Sequence, residues 1–172
     1  MIPFADFPGR YKQNKKSIDG AIKRVLERGW FILGPELENF EKKFSNYLGG
    51  LSVTGVNSGT DAIFLALKGL GVGEGDEVIT VSNTATPTVT AIRMTGAIPV
   101  FIDVEEKSLL MDAGQLEKII TKKTKAIVPV HLFGQPVEMD KIMKVAKRHK
   151  LLVVEDVAQA IGAKFKGRLV GT

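Results

Sequence analysis

The chain has 172 residues, 44% of them hydrophobic and 7% aromatic, which is enough to bury one sizeable core and too apolar for a disordered segment. It holds no cysteine, which excludes disulfides, thiolate metal sites and a cysteine nucleophile, and its two histidines are too few for a histidine-rich metal centre; no metal site is expected. The formal charge of +5 is spread along amphipathic stretches such as KKSIDGAIKRVLERG and EMDKIMKVAKRHK without interleaved aromatics. That pattern reads as solvated helix faces rather than a nucleic-acid surface, and it suits a phosphorylated or nucleotide-linked substrate.

The opening residues, MIPFADFPGRYKQNKK, lack the apolar core of a signal peptide, and no apolar run approaches membrane-spanning length. A soluble, cytoplasmic protein with no membrane partner is expected. From Ser17 to Arg28 the apolar residues Ile18, Ala21, Ile22, Val25 and Leu26 recur at helical spacing, with Gly29 as the stop. Trp30 to Gly34 is apolar and bounded by glycines; it could be core packing, a lid or a subunit contact, and packing is the favoured reading. Pro35, Glu36 and Glu38 then start a second helix whose stripe is Leu37, Phe40, Phe44 and Leu48.

After Gly50 the rhythm changes. Strands are predicted near Ser52–Val56, Glu77–Val81, Pro99–Ile102, Ala126–Val130 and Leu151–Val154, and helices near Thr60–Leu70, Pro87–Thr95, Ala113–Ile120 and Met139–His149. Strands alternating with helices of this length mean βαβ units, so the fold class is α/β, a mainly parallel sheet flanked by helices. Residues 1–50 read as an N-terminal helical segment with a Gly-Pro-Glu loop, and 51–172 as the α/β domain. The tail, AKFKGRLVGT, reads as two short strands around a Lys166-Gly167 turn. Elements that would complete the sheet are expected beyond it.

Three strand ends carry the candidate chemistry. In LLVVEDVAQAIG, Leu151 to Gly162, four apolar residues lead into Glu155 and Asp156 at the carboxyl end of a buried strand, the edge at which open α/β sheets bind ligands. Alternation sends the two carboxylates to opposite faces, so only one can face the crevice. For Asp156 a loop or capping role competes with a ligand role; Gln159, three residues on, favours the latter, because the pair could hold two atoms of one planar ligand. Such an Asp would pair with a protonated ring nitrogen, as for pyridoxal phosphate. Asn57-Ser58-Gly59-Thr60-Asp61 precedes a helix, so its free N–H groups and the Thr60 hydroxyl form a ready phosphate site, unless Ser58 or Thr60 merely caps the helix. Val81 to Pro87 leads into another helix at the same edge. His131 would also reach that edge, and is read first as a satisfied structural histidine.

Six segments in this order resemble the DegT/DnrJ/StrS family of pyridoxal-phosphate-dependent sugar aminotransferases: GWFILGPELENFE (29–41), VNSGTDAI (56–63), GDEVITVSNTATPTVTAI (75–92), GAIPVFIDV (96–104), PVHLFGQPVEMD (129–140) and VVEDVAQAIGAKFKG (153–167). The resemblance implies the large domain of the aspartate-aminotransferase fold (fold type I), with pyridoxal 5'-phosphate as cofactor. Ser58, Gly59 and Thr60 would lie at its phosphate, Asp156 at the pyridine nitrogen and Gln159 on the ring-hydroxyl side. It implies transfer of an amino group from glutamate or glutamine to a nucleotide-linked ketosugar by a homodimer.

Two positions depart from the family pattern. Ala85 stands where many relatives carry an aromatic residue over the cofactor ring. The family's Schiff-base lysine lies beyond a segment matching Lys166–Thr172, so no catalytic residue is assigned in this chain, and neither Lys164 nor Lys166 takes that role. The chain is therefore expected to be the N-terminal, cofactor-binding portion of such an enzyme, without its small C-terminal domain and inactive alone. A non-catalytic binding or regulatory protein of the same fold, or a sugar dehydratase of the family, are the alternatives.

Overall fold

The computed structural model describes residues 5–172; the first four residues, on which part of the reading of the amino terminus rests, lie outside the described residues. The chain divides into two compact units, one ending at Gly55 and the other running Val56–Thr172.

In the first unit, helix α1 spans Phe7–Arg28, ten residues earlier than its apolar periodicity predicts. The reason is local. The Asp6 side chain caps the helix by accepting from the Gly9 N–H at 2.9 Å, and Pro8 sits in the first turn, where its missing donor costs nothing. Gly29, at φ 69°, ends the helix, its N–H donating to the Val25 carbonyl. Helix α2, Pro35–Tyr47, starts as expected, with Pro35 at its first turn and Glu36 and Glu38 at the positive end of its dipole. Phe40, Phe44 and Tyr47 stack along it with ring centroids 5.6 and 6.0 Å apart. Arg24 and Arg28 of α1 both reach Glu36, at 3.5 Å.

The favoured reading of Trp30–Gly34 as core packing is not what the structure shows. Phe31, Ile32 and Leu33 are 66%, 78% and 69% exposed, and neither α1 nor α2 buries any residue. The turn nonetheless has a definite shape: Leu33 adopts φ 51°, and the Trp30 indole N–H donates to the Ile32 carbonyl at 2.7 Å.

The second unit is α/β. Its sheet has four parallel strands in the order β2-β1-β3-β4, formed by β1 (Glu77–Val81), β2 (Ile98–Ile102), β3 (Thr124–Ile127) and β4 (Leu152–Val153). Helices α3 (Gly59–Gly69) and α4 (Thr86–Met94) pack on one face, burying Ile63, Leu67, Ala91 and Ile92 against Val78, Ala126 and Val128. On the other face α5 (Leu116–Ile119), preceded by a 3-10 turn at Ala113–Gln115, and α6 (Met139–His149) cover Ile79, Val81 and Ile127 with Leu116, Ile142 and Val145. Val78, Ile79 and Val81 of β1 and Ala126 and Ile127 of β3 are thus buried on both faces, which is why the inner parts of these strands carry apolar residues at successive positions.

Two predicted strands change, each for a hydrogen-bonding reason. Residues 52–56 form no strand: among the described residues no neighbouring segment completes a ladder there. Strand β3 starts at Thr124 and ends at Ile127 rather than running Ala126–Val130; Pro129 offers no donor, so regular pairing stops. The hydrogen bonds continue irregularly, however, with Asp156 N–H donating to the Pro129 carbonyl at 2.9 Å and His131 N–H to the Asp156 carbonyl at 3.0 Å. Asp156 is therefore held as an extension of β4 beyond its two regular residues. The tail forms the expected antiparallel pair, β5 (Lys164–Phe165) and β6 (Arg168–Leu169).

Candidate cofactor site at the carboxyl edge of the sheet

Along β4, Leu152 and Val154 pack on the α3/α4 face, while Leu151 and Val153 pack on the α5/α6 face. The alternation carries on past the strand and separates the two carboxylates as their adjacency requires. Asp156 turns to the α3/α4 face, where its Oδ2 accepts from the Thr88 hydroxyl of α4 at 2.8 Å and its Oδ1 from the Ala158 N–H at 3.1 Å.

Glu155 goes to the other side. Its Oε2 lies 2.8 Å from His131 Nε2 and accepts from the Gly171 N–H at 2.9 Å. Burial pushes the Glu155 carboxyl up, but the hydrogen bonds from His131 and Gly171 outweigh it, and the net position is below the ordinary glutamate value. His131 is fully buried, and its Nδ1 accepts from the Val137 N–H at 3.1 Å. A backbone N–H can only donate, so Nδ1 carries no proton and Nε2–H points at Glu155. The structural reading of His131 fits this arrangement: it ties the end of β3 to Glu155 and to the loop before α6.

Helix α3 runs back into β1 through the Gly71–Asp76 turn, so its amino terminus lies at the carboxyl edge, on the same face of the sheet as Asp156. Ser58 is the cap: its Oγ accepts from the Asp61 N–H at 3.1 Å and donates to Asp61 Oδ2 at 3.0 Å. The capping alternative therefore describes Ser58. Among the described hydrogen bonds none engages the N–H groups of Gly59 and Thr60 or the Thr60 hydroxyl, which leaves three donors at the positive end of a helix. A Cβ added at Gly59 would meet nothing within 4 Å, so the approach to these donors is open.

Ala85 caps α4 at the same edge through its backbone and presents only an exposed methyl group. Gln159 lies in the turn after Asp156, exposed, with its Oε1 accepting from the Phe133 N–H at 3.3 Å. Sequence reasoning did not find Thr88, which is 1% exposed, or Thr84, whose hydroxyl is 2.8 Å from that of Thr88. The signal was present as two threonines one helical turn apart where a strand passes into a helix. Lys166 pairs with Asp140 of α6 and lies against Phe165, on the side of the sheet away from Asp156. Among the described residues no group of acidic or histidine side chains is arranged to hold a metal ion.

A sheet of this kind, with a helix amino terminus and a fixed carboxylate at one edge, is the large-domain architecture of the pyridoxal-phosphate aminotransferases. The solved structure of DesV from S. venezuelae in complex with a ketimine intermediate superposes with a TM-score of 0.96 at 46% identity, covering 99% of this chain and 46% of that one. That of NtdA from Bacillus subtilis with bound cofactor PMP gives 0.86 at 39% identity, covering 90% and 36%. The chain belongs to the DegT/DnrJ/EryC1/StrS aminotransferase family, whose model matches residues 12–172. It is 46% identical over 170 residues to a dTDP-3-amino-3,4,6-trideoxy-alpha-D-glucose transaminase of Streptomyces venezuelae, covering 99% of this chain and 45% of that protein. The chain spans about half the length of the curated relatives it matches.

Proposed function

We propose that this chain forms the cofactor-binding part of a pyridoxal-phosphate-dependent aminotransferase that moves an amino group from glutamate or glutamine to a nucleotide-linked ketosugar. The observation that carries the reading is Asp156: a carboxylate fixed through both oxygens at the carboxyl edge, on the sheet face that also holds the free amino terminus of α3. The donor set fits a phosphorylated pyridine. Gly59 and Thr60 supply N–H groups and a hydroxyl suited to phosphate oxygens, and Asp156 supplies an anion suited to a protonated ring nitrogen. Ser58 contributes by fixing the helix start, Gln159 offers its amide to the ring-hydroxyl side, and Ala85 leaves room over the ring. When bound, the cofactor provides an electron sink for a donor that loses its α-proton.

Asp156 would hold a ring nitrogen in its protonated form, and the amino terminus of α3 would hold the phosphate. Lys166 takes no part in this reading, being engaged with Asp140 on the opposite side of the sheet. The homologue's name supports a nucleotide-linked sugar as acceptor. The exposed apolar face of α1 and the Trp30–Leu33 turn support a homodimer. No helix among the described residues is long and apolar enough to cross a membrane, and Arg148 and Lys141 of the basic α6 are paired with Glu117 and Glu138.

The test is a titration of the 172-residue chain with pyridoxal 5'-phosphate, followed by cofactor absorbance. Saturable binding is expected, weakened about tenfold or more by Asp156→Ala and by Thr60→Ala, the loss of a charge-assisted contact. Affinity unchanged by both substitutions would remove the site from this edge.

A further inference from the structure

Thr88 is the third residue of α4 and 1% exposed. In the first turn it has no earlier helical carbonyl for its hydroxyl to turn back to. The hydroxyl reaches a carboxylate 68 residues away, Asp156 Oδ2, at 2.8 Å. An ionised carboxylate has no proton to give, so the Thr88 hydroxyl must donate to it. The contact between Thr88 Oγ1 and Thr84 Oγ1, at 2.8 Å, is then also directional: Thr84 donates and Thr88 accepts. Two hydroxyl protons thus point in series toward Asp156, and each hydrogen bond in such a chain polarises the next.

We propose that Thr88, oriented by Thr84, is a positioning residue that fixes the plane of the Asp156 carboxylate, so that its remaining lone pairs face a protonated ring nitrogen. The proposal rests on the reading of the site given above. Oδ2 is held by the Thr88 hydroxyl and Oδ1 by the Ala158 N–H, which removes the freedom of the carboxylate to rotate about its last torsion. A ligand that needs an in-line acceptor then meets one already in place. Thr84 sits one residue before Ala85 at the strand-to-helix turn, so the relay belongs to α4 and its cap rather than to the strand that bears the carboxylate.

The discriminating experiment compares two ligands on the 172-residue chain: pyridoxal 5'-phosphate, and its 1-deaza analogue, in which a C–H replaces the ring nitrogen. Thr88→Val keeps the volume and removes the hydroxyl; Thr88→Ser keeps the hydroxyl. Thr88→Val is expected to weaken pyridoxal phosphate about tenfold, the scale of one hydrogen bond to a charged group, with the deaza analogue unaffected and Thr88→Ser close to the parent. Equal weakening of both ligands would mean that Thr88 only supports the fold, and would overturn the proposal. The Asp156 side-chain carboxyl ¹³C resonance, read in the chain without ligand, is expected to move in Thr88→Val and to return in Thr88→Ser. If the parent chain binds neither ligand, the cofactor reading fails, and an unmoved Asp156 resonance would separately overturn the relay.

Discussion

Glu155 and Asp156 show how much a single peptide step decides. The two carboxylates are adjacent, yet one serves the open edge and the other pins the fold through His131 and the Gly171 N–H. That division was legible in the sequence, because strand alternation alone demands it. The partners were not: Thr88 and His131 lie 68 and 24 residues away, and no local pattern encodes a contact that only the packed helices create. A pH prediction follows at this scale. The Glu155 carboxyl lies below its ordinary value when folded, so in acid the unfolded chain binds the proton first, and stability rises with pH across that interval. The contribution is complete above the unfolded glutamate value of about 4.3 and is lost as pH falls toward the lower folded value. Urea-unfolding midpoints measured between pH 3 and pH 6, a range chosen about that value, should fall on the acid side, and less steeply in Glu155→Gln. An identical acid dependence in the two proteins would show that the Glu155 hydrogen bonds do not contribute.

At the scale of elements, the sequence was read correctly for helices that carry their own caps and apolar stripe, and misread for strands, which need a partner, and for the start of α1, whose first ten residues are mostly polar. Helices α3, α4 and α6 lie within a residue of their predicted limits, because caps and apolar spacing are local signals. Residues 52–56 have the composition of a strand and no ladder, and β3 is cut short by Pro129. One residue joins two elements by lacking a side chain: Gly96, which follows α4, has φ 92°, and a Cβ there would stand 3.2 Å from the Glu74 backbone nitrogen and 3.3 Å from its Cα, in the turn leading to β1. The positive φ and the close approach act together. Gly96→Ala should therefore cost about 1–3 kcal/mol, read as a lowered urea midpoint, whereas a neutral change would mean that the turn before β1 yields easily.

For the whole molecule, the two units differ in how completely they bury their apolar residues. The α/β unit covers both faces of β1 and β3, while α1 and α2 bury no residue, and Ile22 and Leu26 are 54% and 62% exposed. In the homodimer proposed above this face would meet a second copy of the chain, and charging it should prevent that contact. Leu26→Glu is expected to shift sedimentation toward the monomer without altering α1, where the residue is already exposed; unchanged assembly would exclude this face as the contact. Sequence reading found the amphipathic helices and could not say what covers them, because periodicity identifies an apolar face and not its partner.

The turn after α1 also provides an optical handle. Trp30 is the chain's one tryptophan, and its indole is tied to the Ile32 carbonyl in a half-exposed position beside Phe31 and Leu33. Its emission therefore comes from one known place, uncontaminated by a second indole. Should subunits meet across this surface, dilution would move that emission to longer wavelength as water returns to the ring, with no label attached and with the sheet left untouched.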